Sequence, residues 1–139
     1  MNISMVIYVV GWILTAEAAM MILPLIAGIF YNEEAVWSFV ITIAICLFLG
    51  ISMVLRGPKN RVFHVREGFL SVALSWILLS IFGALPFVIS GSIPSFVDAV
   101  FETVSGFTTT GASILPDVES LPRCIIFWRS FTHWIGGMG

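Results

Sequence analysis

Three long apolar runs fill the first two thirds of the chain, with short polar breaks between them. The first extends from about Met5 to Phe30 and is interrupted only by Glu17. The second covers about Ala35 to Leu55, and the third about Phe69 to Ile89. Each reaches the ~20 apolar residues that a membrane-crossing helix requires. The turn Tyr31-Asn32-Glu33-Glu34 joins the first two, and a polar loop from Arg56 through Glu67 joins the second and third. Beyond Ile89 the pattern changes. Ser90-Gly91-Ser92-Ile93-Pro94 breaks the run, and Ser95-Phe96-Val97-Asp98 opens a new helix like a capping box with Asp in place of Glu. That helix ends about Ser105, before Gly106, and is too short to span a bilayer. Pro122 then suits the first turn of another helix, starting about Leu121.

Composition supports the membrane reading. Of 139 residues, 59% are hydrophobic and 10% charged, with mean hydropathy +1.07. Soluble domains carry about 25% charged residues. The first run has no preceding Lys or Arg and is too long for a signal peptide, so it reads as a retained helix. Four of the six basic residues lie in the Arg56–Glu67 loop, which the positive-inside rule puts in the cytoplasm. Alternation then puts the N-terminus inside and Glu33 and Glu34 outside. Six acidic residues (Glu33, Glu34, Asp98, Glu102, Asp117 and Glu119) fall on the outer side, where they either concentrate cations or simply keep that surface wet. Cys46 and Cys124 sit in apolar stretches and read as buried thiols. His64 and His133 have no metal-ligand spacing.

The candidate chemistry lies in Ser105–Ser113, SGFTTTGAS. A short helix followed by irregular backbone at membrane depth is tolerated only where protein buries it or a water-filled path runs past it. Carbonyls of Thr108, Thr109, Thr110 and Gly111 lack helical partners, and a ring of such carbonyls can replace the water shell of a cation. The helix also points its partly negative end at that place. One loop supplies only part of a ring. A phosphate loop is the rival, since Gly106 to Gly111 fits G-x-x-x-x-G. The Lys that should follow is missing, and Ala112 stands there instead. A re-entrant turn that conducts nothing remains open.

The stretch Phe101–Ser113, FETVSGFTTTGAS, resembles the first pore loop of the Trk/Ktr potassium uptake proteins, and His133–Gly139, HWIGGMG, is similar to the start of a characteristic stretch in their following helix. The two leading helices look like the TrkH type rather than the KtrB type. The resemblance covers essentially the whole chain, from about Gly57 by motif and before that by hydropathy alone. It implies an all-α integral membrane protein with two leading transmembrane helices (1–58), then a potassium-channel-like helix–pore helix–filter loop–helix unit (59–139). It implies potassium as the ion and passage rather than catalysis, with Thr108, Thr109, Thr110 and Gly111 giving the filter carbonyls. It also implies a multi-pass plasma-membrane protein that dimerises with itself and binds a cytosolic nucleotide-binding regulatory subunit; no nucleic acid is implied. Such proteins carry four pore units in one chain, so this sequence reads as an N-terminal fragment. A small subunit forming a homotetrameric channel is the alternative, followed by a structural subunit.

Three charges fall inside apolar helices. Glu17 is an intramembrane carboxylate flanked by small residues, suited either to transport or to a structural pair. Arg129 needs a partner if buried. The expectation is that Arg129 pairs with Glu102 or Glu17 and braces the pore helix. His133 shares a face with Arg129 and reads as a packed polar residue. Gly136, Gly137 and Gly139 allow either close helix packing or a bend.

Overall fold

The computed structural model describes residues 2–117 and 119–138. It contains five helices among those residues: α1 (Ile3–Phe30), α2 (Val36–Leu55), α3 (Val65–Ile89), α4 (Phe96–Phe107) and α5 (Arg123–Met138). The first three are long and apolar enough to cross a membrane. The chain is therefore a multi-pass membrane segment. With 12 residues, α4 is about 18 Å long at 1.5 Å per residue, roughly half a bilayer core.

α1 and α2 form an antiparallel hairpin whose backbones touch. A Cβ placed on Gly11 would lie 2.9 Å from the Gly50 carbonyl oxygen, and one on Gly50 would lie 2.9 Å from that of Gly11. Small residues allow this approach, which supplies dispersion contacts where lipid offers no hydrophobic drive. α1 also packs on α3 and α5, so the leading helices share one core with the rest. The core gathers Met21, Phe39, Phe87, Ala99, Phe107 and Trp128. Trp128 of α5 ties three helices together. Its ring meets Phe39 of α2 edge-on at 6.4 Å, and its Nε1 donates to the Gly83 carbonyl of α3 at 2.9 Å. Many of the large exposed side chains, Phe48 and Phe69 among them, face outward from membrane-length helices.

Several boundaries differ from those expected. α3 starts at Val65, four residues before Phe69, because Glu67 fits its first turn. The Glu67 carboxylate accepts the His64 N–H at 2.7 Å and the Asn2 N–H at 2.9 Å, tying the start of α3 to the start of α1. α4 runs through Gly106 to Phe107. Gly106 lies inside the helix and serves close approach of α5: a Cβ would collide with the Thr132 side chain. Ser95 is the N-cap of α4 with extended backbone, but its side chain makes no capping bond, so the expected capping box is absent. α5 begins at Arg123 rather than near Leu121.

Candidate functional site

α4 ends in a Schellman motif. The Thr110 N–H reaches back to the Ser105 carbonyl at 3.0 Å, and the Thr109 N–H to that of Gly106 at 3.0 Å. The residue that must turn left-handed is Thr109, with φ 56°. A β-branched residue pays strain in that region, where glycine is usual. Local bonds hold it there. The Thr109 hydroxyl donates to the Thr108 carbonyl at 2.7 Å, and the Thr108 hydroxyl donates to the Val104 carbonyl at 2.7 Å. The hydroxyls of Thr108 and Thr110 lie 2.8 Å apart.

Gly111 is the second left-handed residue, with φ 80°. Nothing lies within 4 Å of where its Cβ would be, so backbone conformation rather than crowding calls for glycine. Thr108 through Gly111 are exposed. Among the described residues, no hydrogen bond ends on the carbonyls of Thr109, Thr110 or Gly111. The Thr108 carbonyl already accepts one. The loop thus presents three unclaimed backbone oxygens next to the carbonyl end of a helix.

The return strand of the loop hangs from α4. The Ser105 hydroxyl donates to the Ala112 carbonyl at 2.5 Å. Glu102, 2% exposed, accepts from the Ser113 hydroxyl at 3.0 and 3.2 Å and from the Ile114 N–H at 3.2 Å. Arg129 of α5 donates from Nε to the same carboxylate at 2.6 Å. Its side chain is 18% exposed against 1% for Glu102. A carboxylate with these donors balances its burial through one full charge and three hydrogen bonds. α5 is pressed onto the loop from behind, since a Cβ on Gly136 would overlap the Phe107 carbonyl. Gly136 therefore serves close approach rather than a bend; Gly139 lies outside the described residues. His133 packs with its Nδ1 2.9 Å from the Arg129 carbonyl.

Of the two acids offered as partners for Arg129, the structure brings only Glu102 to it. Glu17 is a correction to the expected charge pairing. It is 2% exposed, and among the described residues neither carboxylate oxygen has a hydrogen-bond partner. It faces the α3–α4 contact, with Oε1 3.1 Å from the position of a Cβ on Gly83; that same position is 2.9 Å from Thr103 Cγ2. The spacing along α1 gave its depth but not its direction, and Arg129 turns to Glu102 on α4 instead. Both cysteines are free and buried. Among the described residues, no group of three His, Cys, Asp or Glu could hold a metal.

One participant was not expected. Glu33, in the α1–α2 turn, accepts the N–H groups of Arg123 at 2.6 Å and Cys124 at 3.0 Å, capping α5 from 90 residues away. Partial burial works against its charged form. The Cys124 and Arg123 hydrogen bonds and the Arg123 charge outweigh it, so its carboxyl lies below the usual carboxylate range.

Comparison with known proteins places the chain by sequence and fold. A protein-family description, "TrkH: Cation transport protein", matches residues 36–139. An uncharacterized cation transporter of Methanocaldococcus jannaschii is 35% identical over 138 residues, which is 99% of this chain and 29% of the relative. The Trk system potassium uptake protein TrkG of Escherichia coli is 34% identical over 140 residues, again 99% of this chain and 29% of the relative. The crystal structure of the potassium transporter TrkH from Vibrio parahaemolyticus superposes with TM-score 0.92 at 36% identity, over 100% of this chain and 30% of that one. The chain thus spans under a third of the length of the relatives it matches. With a family description over most of its length, and with relatives sharing more than a third of its residues along the whole of it, the chain belongs to the TrkH family of cation transport proteins.

Proposed function

We propose that this chain supplies the first of four pore units of a potassium uptake protein, with Thr108, Thr109, Thr110 and Gly111 lending backbone carbonyls to a shared filter. The unclaimed oxygens at the end of a half-length helix carry this reading. Backbone carbonyls in a ring exchange for the hydration shell of a cation, and the helix end adds partial negative charge. Thr109 and Gly111 set the direction of those oxygens through their left-handed backbones. The buried Arg129–Glu102 pair braces the loop, so that the oxygens need little reorganisation when an ion arrives.

Relatives more than three times as long leave room for further units, which favours one long chain over a homotetramer. An apolar groove of about 520 Å³ between α3 and α4, lined by Trp76, Ile81, Val104 and Thr108, opens beside the loop and suits a neighbouring unit. In this reading the Arg56–Arg66 loop and the N-terminus face the cytoplasm and the α1–α2 turn faces outward. Homodimerisation and a cytosolic nucleotide-binding partner belong to the same proposal. Potassium as cargo is favoured by the relatives, a potassium uptake protein of Escherichia coli and a potassium transporter of Vibrio parahaemolyticus.

Gly111→Asp in the full-length protein tests the filter. A side chain at φ 80° would turn or unseat the loop and put a carboxylate beside it. The expected outcome is loss of potassium-dependent growth and of rubidium uptake in an uptake-deficient host, with normal insertion. Uptake equal to wild type would refute the filter assignment.

A further inference from the structure

We propose that Glu33 is a positioning residue for the pore loop, acting through α5 from the turn between the two leading helices. This rests on the filter reading above.

The turn that carries Glu33 is held by backbone hydrogen bonds. α1 ends in its own Schellman motif: the Glu33 N–H bonds the Gly28 carbonyl at 3.0 Å, the Asn32 N–H bonds that of Ile29 at 3.2 Å, and Asn32 is left-handed with φ 52°. Glu33 therefore leaves the helix end in a defined direction. Its two oxygens then take one N–H each at the first turn of α5, at 2.6 and 3.0 Å. Those donors have no partner within their own helix, and a negative charge there complements the helix dipole. The Arg123 guanidinium sits 4.4 Å from the centre of the Tyr31 ring, a second bond between the same turn and the same helix end. Gly28 completes the seat: a Cβ there would lie 3.1 Å from the Cβ of buried Cys124.

α5 is the element that holds the loop. About one and a half turns beyond Cys124, its Arg129 grips Glu102, which holds Ser113 and Ile114 on the return arm of the filter loop. Gly136 meets the Phe107 carbonyl immediately before the loop. The axial placement of α5 thus determines where both ends of the loop lie, and Glu33 fixes that placement at its origin. The leading helix pair becomes part of the pore's scaffold.

The test uses the full-length protein in liposomes, with folded protein quantified for each variant. Potassium and sodium uptake are measured per folded molecule for wild type, Glu33→Ala and Glu33→Gln. Glu33→Ala is expected to lower the potassium-to-sodium ratio by roughly twofold to thirtyfold, the range for coupling through a packed network. Glu33→Gln keeps one acceptor oxygen and should fall between Ala and wild type. A lower yield with an unchanged ratio per folded molecule would make Glu33 a brace for folding only and would overturn the proposal. Should the Ala variant fail to fold, the Gln variant decides: a wild-type ratio in it is equally fatal. Absence of potassium preference in the wild-type protein would instead count against the filter reading.

Discussion

Glu17 and Glu102 are both 2% exposed, and both lie in helices of the membrane segment. Their surroundings differ completely. Glu102 receives Arg129, Ser113 and the Ile114 N–H, whereas Glu17 receives no hydrogen bond among the described residues. The first arrangement gives the carboxylate donors in place of much of the water lost on burial. The second gives none among the described residues, so the burial of Glu17 goes uncompensated there. Burial alone therefore says nothing about role. The donors decide it, and here they come from a loop and a helix that bear on the candidate filter.

Removing a donor at the better-connected acid should have the largest effect. Arg129→Gln leaves Glu102 buried without its charge partner and is expected to cost about 3–5 kcal/mol. It should appear as a large drop in thermal stability of the detergent-solubilised protein. The double variant Arg129→Gln with Glu102→Gln should cost clearly less than the sum of the two single variants. Additive losses would mean the charges are not acting as a pair.

A third carboxylate gives an intermediate case. Glu33 is half-buried and its ordinary titration is shifted down by its contacts with α5. A group whose folded value is depressed contributes stability above the normal carboxylate range and loses it as pH falls through the folded value. The groups around it are Arg123 and Cys124 on α5, with Glu34 on its own turn and Glu119 across the same crevice. Acid unfolding curves of Glu33→Gln should therefore start from lower stability at neutral pH and meet wild type in acid. Parallel curves would show that the contact contributes no charge-dependent stability.

The smallest effect is expected at Glu17. An amide keeps nearly the shape of the carboxyl group and no hydrogen bond among the described residues is lost, so Glu17→Gln should change stability by less than about 1 kcal/mol. Glu102→Gln should be clearly worse in the same assay. If the two substitutions prove equally damaging, the contrast between the acids collapses and Glu17 has a charged partner in the assembled protein.

The transmembrane helices were legible because hydropathy over ~20 residues acts locally on each segment. The half-length helix and its polar loop were legible for the same reason. Helix ends were less so, because the usual signals misled. Gly106 looks like a stop, yet it is a contact site for Thr132, and the left-handed position falls on Thr109. At the other Schellman turn Asn32 fills that position, the residue type that tolerates it best after glycine. The Arg129 partner could be narrowed to two acids from depth along each helix, but not to one. Glu33 gave no signal as a helix cap, because its donors lie 90 residues away.

Composition and pattern by themselves determined that this chain lives in a membrane, where its helices run, and which nine residues break the apolar order. Its motifs carried the family resemblance that comparison then established. Only the tertiary structure decided which acid meets Arg129, which acid stands alone, and what caps α5. The physical reason is that hydropathy is a property of each segment, whereas a hydrogen bond depends on direction within a few tenths of an ångström. That direction is set by how α1, α3, α4 and α5 pack, through contacts at Gly28, Gly83, Gly106 and Gly136 that no single segment contains.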